Sequence, residues 1–318
     1  MKKLLPLIAL MILFISGCET RGDKFPRFGL KEILLGKIMN HEINKAFFIN
    51  EKIGFAAISK DTILKTRDSC KTFSLSLADK SSDFASIQFL NENVGFVIDR
   101  NNKIFKTLNG GTSWIKTWIK IPGAHLLDIT CLNQDTIFIA AGGNPNSQIG
   151  YIIKSTDGGK TWDITTTKNL LHICFVDNAT GFASGFDGII KTTDCGKTWE
   201  TVSSLPADDI FFFDKGNGYF TYKRSLYKTK DGGKNWKLIK TIINPHWILG
   251  EDFSKIESLN IVNDKDLIFT LNSRLIMVTS KQKWFQYEFI RPYYQLQMIG
   301  KNKGIVYGFE NLILVNFL

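Results

Sequence analysis

Two stretches of this chain carry residues that handle phosphate elsewhere. Gly159-Lys160-Thr161 and Gly196-Lys197-Thr198 end like a Gly-x-x-x-x-Gly-Lys-Ser/Thr loop, whose backbone N–H groups cradle phosphates. That loop also needs Gly at positions 154 and 191, where Lys stands, and a helix after it, where a strand pattern follows. Nucleotide chemistry is set aside. Asp157, Asp194 and Asp231 are the next candidates, as metal ligands. Each is alone in its stretch, whereas a hard cation needs several converging oxygens; turn capping is the better reading. His-Glu-x-x-His and Gly-x-Ser-x-Gly patterns are absent, and the four His stand singly. No metal, no cofactor and no catalytic residue is expected.

The elements that carry these residues repeat. Thr66-Arg67-Asp68-Ser69-Cys70-Lys71-Thr72-Phe73 is followed by Thr107-Leu108-Asn109-Gly110-Gly111-Thr112-Ser113-Trp114, then by Ser155 to Trp162, Thr192 to Trp199 and Thr229 to Trp236. A sixth copy, Thr279 to Trp284, is two residues short. The closing aromatics stand at 73, 114, 162, 199, 236 and 284, a period of about 42 residues, in the range of propellers and arrays. A second pattern accompanies the first: Gly54-Phe55, Gly95-Phe96, Gly181-Phe182, Gly218-Tyr219 and Gly304-Ile305, with Phe138 and Ile268 in the same place without the Gly. Seven copies result.

Within a copy the runs are four to six residues long, rich in β-branched and aromatic types, and bounded by Gly, Asn or Asp, which reads as a meander of short strands. Four strands per copy predict an all-β, seven-bladed β-propeller of four-stranded antiparallel blades. The chain's end supplies only three strands, Gln295 to Ile299, Ile305 to Gly308 and Leu312 to Phe317. Phe28 to Leu35 is expected to be the missing fourth, closing the ring so that no open edge remains. The aspartates fit this scheme: Asp68, Asn109, Asp157, Asp194 and Asp231 accept N–H bonds inside a hairpin turn, and Trp114, Trp162, Trp199 and Trp236 pack between sheets.

Composition narrows the partners. Of 40 Lys and Arg only seven are Arg, so the net charge of +10 reads as lysine scattered over polar faces, not as a nucleic-acid surface. Of five Cys, Cys70 and Cys195 fall in different turns; Cys131 and Cys174 remain as the pair open to oxidation, and all four read as packing residues.

Lys2 and Lys3, the apolar run Leu4 to Ile15, and Ile15-Ser16-Gly17-Cys18 resemble a bacterial lipoprotein signal with its lipobox. The resemblance implies a signal peptide at 1–17, lipidation of Cys18, a polar tether at 18–27 and a propeller at 28–318, anchored to an envelope membrane on its extracytoplasmic side. The recurrent turn is identified as the Asp-box, or BNR repeat. With the Gly-Phe strand and Ile-Ile-Lys-Thr-Thr-Asp-Cys-Gly-Lys-Thr-Trp it resembles the photosystem II stability and assembly factor family. That resemblance implies an exported propeller that binds another envelope protein or complex. It carries no photosystem partner. Sialidases also use Asp-box propellers, but their three converging Arg have no set here: beyond the tether only Arg67, Arg100, Arg224, Arg274 and Arg291 remain. A carbohydrate-active enzyme or glycan-binding propeller is the competing reading.

Binding residues concentrate on loops of a rigid scaffold. The loops entering the innermost strands carry His41 and Glu42, Asp79 and Asp83, His125 and Asp128, His172, Asp208 and Asp209, Trp247 with Glu251 and Asp252, and Arg291 with Tyr293 and Tyr294. The aromatic set Trp247, Tyr293 and Tyr294 beside Arg291 is expected to be the contact patch, since such types dominate hot spots.

Overall fold

The computed structural model describes residues 30–58, 60–143, 149–241, 256–262, 266–271, 274–279, 281, 283–288, 294–300 and 302–317. The expected signal, Cys18 and the tether lie outside them. Every regular element described is a strand, and among the described residues no helix is long and apolar enough to cross a membrane.

Five antiparallel meanders of four strands follow one another. They are β5 (Phe84–Phe89), β6 (Gly95–Asp99), β7 (Lys103–Thr107) and β8 (Ile115–Trp118); β9 (His125–Cys131), β10 (Ile137–Gly142), β11 (Gly150–Ser155) and β12 (Asp163–Thr167); β13 (Leu170–Phe175), β14 (Gly181–Gly185), β15 (Gly188–Thr192) and β16 (Glu200–Ser203); β17 (Asp209–Phe212), β18 (Gly218–Tyr222), β19 (Ser225–Thr229) and β20 (Lys237–Thr241); and β21 (Ile256–Val262), β22 (Asp266–Leu271), β23 (Arg274–Val278) and β24 (Trp284–Glu288). The ends of the chain share one six-stranded sheet, in the order β25 (Tyr294–Gly300), β26 (Lys303–Phe317), β1 (Leu30–Phe48), β2 (Gly54–Ile58), β3 (Thr62–Thr66) and β4 (Ser74–Ala78). First strands of successive meanders touch in the order β1, β5, β9, β13, β17, β21, β25, and β25 touches β1.

The chain ends correct one expectation. Residues Leu30 to Lys37 do pair with Asn311 to Phe317, but 303–317 runs as one uninterrupted strand. No separate third and fourth strands form, so the last and first sheets merge instead of standing as two four-stranded units. Phe309-Glu310-Asn311 lacks the Asn-Gly or Asp-Gly pair that tight hairpins use, which accounts for the missing reversal.

Packing between sheets explains the Gly-aromatic pattern. Each Gly pairs in register with an aromatic on the first strand: Phe48 with Gly54, Phe89 with Gly95, Phe175 with Gly181, Phe212 with Gly218. A Cβ on Gly218 would lie 2.5 Å from the Phe212 ring, and one on Gly95 2.4 Å from Phe89. With that space open, the ring lies flat and stacks on the preceding sheet: Phe55 on Phe89 at 3.9 Å, Phe138 on Phe175 at 4.5 Å, Phe182 on Phe212 at 3.5 Å between centroids. The turn tryptophan meets the same ring edge-on, Trp114 at Phe89, Trp199 at Phe175 and Trp236 at Phe212. Such pairs add to the burial of large apolar area.

Lysine completes the joint, a role that reading the lysines as scattered over polar faces does not include. Lys65, Lys106, Lys154 and Lys191 sit over Phe55, Phe96, Phe138 and Phe182 at 5.3, 5.5, 5.4 and 5.3 Å from the centroids, within cation–π range. Each ammonium also donates to a carbonyl in the turn of the next sheet: Lys65 to Gly110, Lys106 to Gly158, Lys154 to Cys195 and Lys191 to Gly232. Lys immediately before the Thr or Ser that opens each turn is the sequence signal for this clamp.

The turns behave as their sequence suggests. In the third copy Gly159 N–H donates to Ser155 Oγ at 2.7 Å, Ser155 Oγ to Asp157 Oδ1 at 2.9 Å, and Thr161 N–H and Oγ to the two Asp157 oxygens at 2.9 and 2.6 Å. Two consecutive residues take positive φ, Gly158 and Gly159 here and Ser69 and Cys70 in the first copy, a region that favours Gly.

Candidate functional site

The first strand of each meander presents a polar residue just ahead of a buried aliphatic one: Lys45-Ala46, Ser86-Ile87, Asp128-Ile129, His172-Ile173, Asp209-Ile210, Ser258-Leu259 and Gln295-Leu296. The apolar member enters the core. Six of the polar members, all but Ser86, line a cavity of about 330 Å³ where the first strands meet, together with Asp208 and with Ile87 from the strand that carries Ser86. Five of the strands reach this geometry through a register shift beside the polar residue, between Ile43 and Lys45, Phe84 and Ser86, Ala140 and Ala141 opposite Asp128, Leu170 and His172, and Glu257 and Asn260 around Ser258. A bulge re-aims the side chain that follows it.

Charge is unevenly spread around the cavity. Asp128 Oδ2 stands 3.6 Å from His172 Nδ1, and Asp128 Oδ1 accepts from Ser86 Oγ at 3.1 Å. Burial pushes the Asp128 carboxyl up, but the hydrogen bond and charge of His172, the Lys45 charge and the Ile173 N–H outweigh it, leaving the group below its ordinary value. For His172 burial favours the neutral ring, yet the Asp128 hydrogen bond and the Asp209 and Asp128 charges prevail over burial and Lys45, so its pKa is raised. The two carboxylates thus favour the charged form of the imidazole that stands beside them.

Several of these groups also join neighbouring sheets. Ile173 N–H donates to Asp128 Oδ2 at 3.2 Å and Leu259 N–H to Asp209 Oδ2 at 3.1 Å. Cys131 N–H donates to Gln88 Oε1 at 2.9 Å. Between the chain's ends, Phe48 N–H donates to Gln297 Oε1 at 2.6 Å while Gln297 Nε2 donates to Phe48 O at 3.0 Å. Buried main-chain groups need partners, and here the adjacent sheet supplies them.

Of the expected contact residues, the structure brings Asp128, His172, Asp208 and Asp209 to one cavity. His125 is not among them: it is exposed, with Nδ1 2.7 Å from the Arg100 carbonyl. Asp79 and Asp83 are engaged by Lys116 at 2.8 Å and Arg100 at 3.2 Å. Tyr294 opens β25, and Trp247, Arg291 and Tyr293 lie outside the described residues. Lys45, Ser258 and Gln295 escaped the sequence reading; the polar-aliphatic dipeptide opening each meander was the available signal.

The turn aspartates form no second site. Thr161 and Thr198 hold Asp157 and Asp194 well below the usual carboxylate range, and the Asn235 N–H and side chain hold Asp231 at about 2, so these carboxylates are permanent acceptors. Among the described residues no group of three His, Cys, Asp or Glu is placed to hold a metal. Cys70, Cys131, Cys174 and Cys195 are unpaired, and burial pushes the thiols of the first three up to about 12.

No family model matches the sequence, and no curated protein matches it. Solved structures do. One of YCF48 bound to a D1 peptide shares 18% identity at a TM-score of 0.70, covering 92% of this chain and 97% of that one. YCF48 from Cyanidioschyzon merolae gives 16% and 0.67, over 90% and 98%. A virginiamycin B lyase from Staphylococcus aureus with quinupristin gives 12% and 0.69, over 92% and 100%. The chain is a β-propeller. At these identities the likeness carries the fold, and the propeller's cavity is where its first strands converge.

His172 gives that cavity a measurable signature. Its NMR titration is expected above the ordinary imidazole value of 6.5, and in an Asp128→Asn variant it should move back down. The sign follows from linkage: a raised folded pKa stabilises fully below the unfolded value, and the contribution is lost as pH rises through the folded one. A His172 that titrates at or below the ordinary value would remove the ion pair.

Proposed function

We propose that this protein is a lipid-anchored, extracytoplasmic propeller of seven blades that binds another envelope protein and serves as its docking or assembly scaffold. One observation carries the binding reading: all seven first strands send residues to a single cavity, in which Asp128, His172, Asp208 and Asp209 gather on a rigid ring. The seven-blade count rests on those strands, and closure on the Gln297 and Phe48 pair. The lipid anchor rests on the lipobox at Cys18. The peptide bound to YCF48 makes a protein partner the first class to test.

Three carboxylates in one cavity favour a second reading, a propeller that binds or cleaves a glycan. A glycosidase needs one carboxyl kept protonated as general acid, whereas the lowered pKa of Asp128 suits it only to the ionised role. The deciding experiment is a pull-down from detergent-solubilised membranes with the Cys18-anchored protein, run beside a glycan array. A specific envelope protein that is lost with an Asp128→Ala, Asp209→Ala double variant is the expected result. No protein recovered, with glycans bound, reverses the assignment.

A further inference from the structure

The fifth blade breaks the clamp rule. Lys228 occupies the clamp position and lies over Tyr219 at 5.0 Å from the centroid, but it makes none of the hydrogen bonds found among the described residues to a following turn. The following turn, Thr279 to Trp284, is two residues shorter in sequence than the others, and its Thr279 N–H donates to Lys283 O at 2.9 Å while Lys283 N–H donates to Thr279 Oγ at 3.1 Å. In the first blade the next turn covers two positions: Gly110 O takes the Lys65 ammonium, and Gly111 O takes Ser76 Oγ. The equivalent positions in the fifth blade, by count from the opening Thr, are Lys228 and Ile239. Both line a cavity of about 510 Å³ together with Lys230, Asp231, Asn235, Trp236 and Lys237.

Cross-strand pairing points to what belongs there. The clamp lysines face Ser74, Ile115, Asp163 and Glu200 in register, but Lys228 faces Lys237. Like charges directly opposite each other are destabilising. Exposed Lys230 adds a third cation, while the Asp231 carboxylate is occupied by Thr229 Oγ, Asn235 N–H and Asn235 Nδ2. Here alone among the five clamps the repeat gives up both its carbonyl acceptor and any neutral or acidic facing residue.

We infer that this cleft is a docking site for an extended acidic peptide segment of a partner protein, whose carboxylate takes the place of the missing turn carbonyl on Lys228, flanked by Lys230 and Lys237. Trp236 and Ile239 supply an apolar wall for the residue beside that carboxylate. The partner's being a protein rests on the scaffold reading above; the anionic chemistry does not.

The test uses the full chain and a fluorescein-labelled hexapeptide of alternating leucine and glutamate, read by anisotropy. Lys228→Met should weaken binding at least tenfold with little change in thermal midpoint. Lys191→Met, which removes an occupied clamp, should lower the midpoint and leave affinity unchanged. The Lys228→Arg variant keeps the charge and should retain binding, which guards against misfolding as the explanation. Equal affinity for Lys228→Met, equal affinity for the leucine–glutamine peptide, or displacement by equimolar inorganic phosphate would each overturn the peptide assignment. Recovery of the envelope partner by Lys228→Met at wild-type yield counts against the cleft while leaving the scaffold reading; peptide binding at Lys228 with an empty pull-down does the reverse.

Discussion

Replacing Phe182 with alanine is expected to destabilise the protein by about 3–5 kcal/mol, the range for truncating a buried aromatic. The side chain is fully buried and stands at the centre of a four-part stack. Lys191 lies over its ring at 5.3 Å, Phe212 stacks at 3.5 Å with an interplanar angle of 3°, and Trp236 meets Phe212 edge-on at 5.8 Å. Alanine removes the surface on which both the clamp and the neighbouring sheet rest. Urea titration should show the midpoint fall with an unchanged slope. A loss below about 1 kcal/mol would mean that the stacks follow from the fold without holding it.

Gln297→Ala is expected to cost about 2–3 kcal/mol, because it strands an N–H and a C=O of Phe48 that are half-buried at the junction of β1 and β25; leaving such groups unsatisfied costs about 1–3 kcal/mol each. The two residues are 249 positions apart, so the effect reports on whether the last sheet truly sits beside the first. Hydrogen exchange at the Phe48 amide should accelerate more than exchange within β13 to β16. Gln297→Glu keeps the acceptor and loses the donor, and should fall between wild type and alanine. A cost of a few tenths of a kcal/mol, with Phe48 exchange unchanged, would place the ends apart.

The meander and its turns were legible because their signals are local. Asp, two residues at positive φ and a closing Trp sit within eight positions, and Gly opposite an aromatic marks the adjoining strand. The cavity was less legible. The sequence places Asp128, His172 and Asp209 on loops entering the innermost strands, yet each lies in a strand, and Asp128 and Asp209 bond the next sheet as well as line the cavity. Bulges beside Lys45, Ser86, Asp128 and His172 set those directions, and a bulge depends on which strand pairs with which, information that no single stretch contains. The chain ends misled for the opposite reason. Three apolar runs suggested three strands, but a strand break requires turn chemistry, and Phe309-Glu310-Asn311 has little of it.

The clamp lysines also impose an order of events during synthesis. Lys65, Lys106, Lys154 and Lys191 reach carbonyls at 110, 158, 195 and 232, always forward along the chain. A nascent blade thus keeps that ammonium in water until its successor emerges, and maturation advances from the amino terminus like a zip. The contacts that run back to the beginning, Gln297 with Phe48, Lys303 with Glu51 and Asn311 to Phe317 with Leu30 to Lys37, come from the last segment made, so the first blade is both the earliest made and the last to be secured.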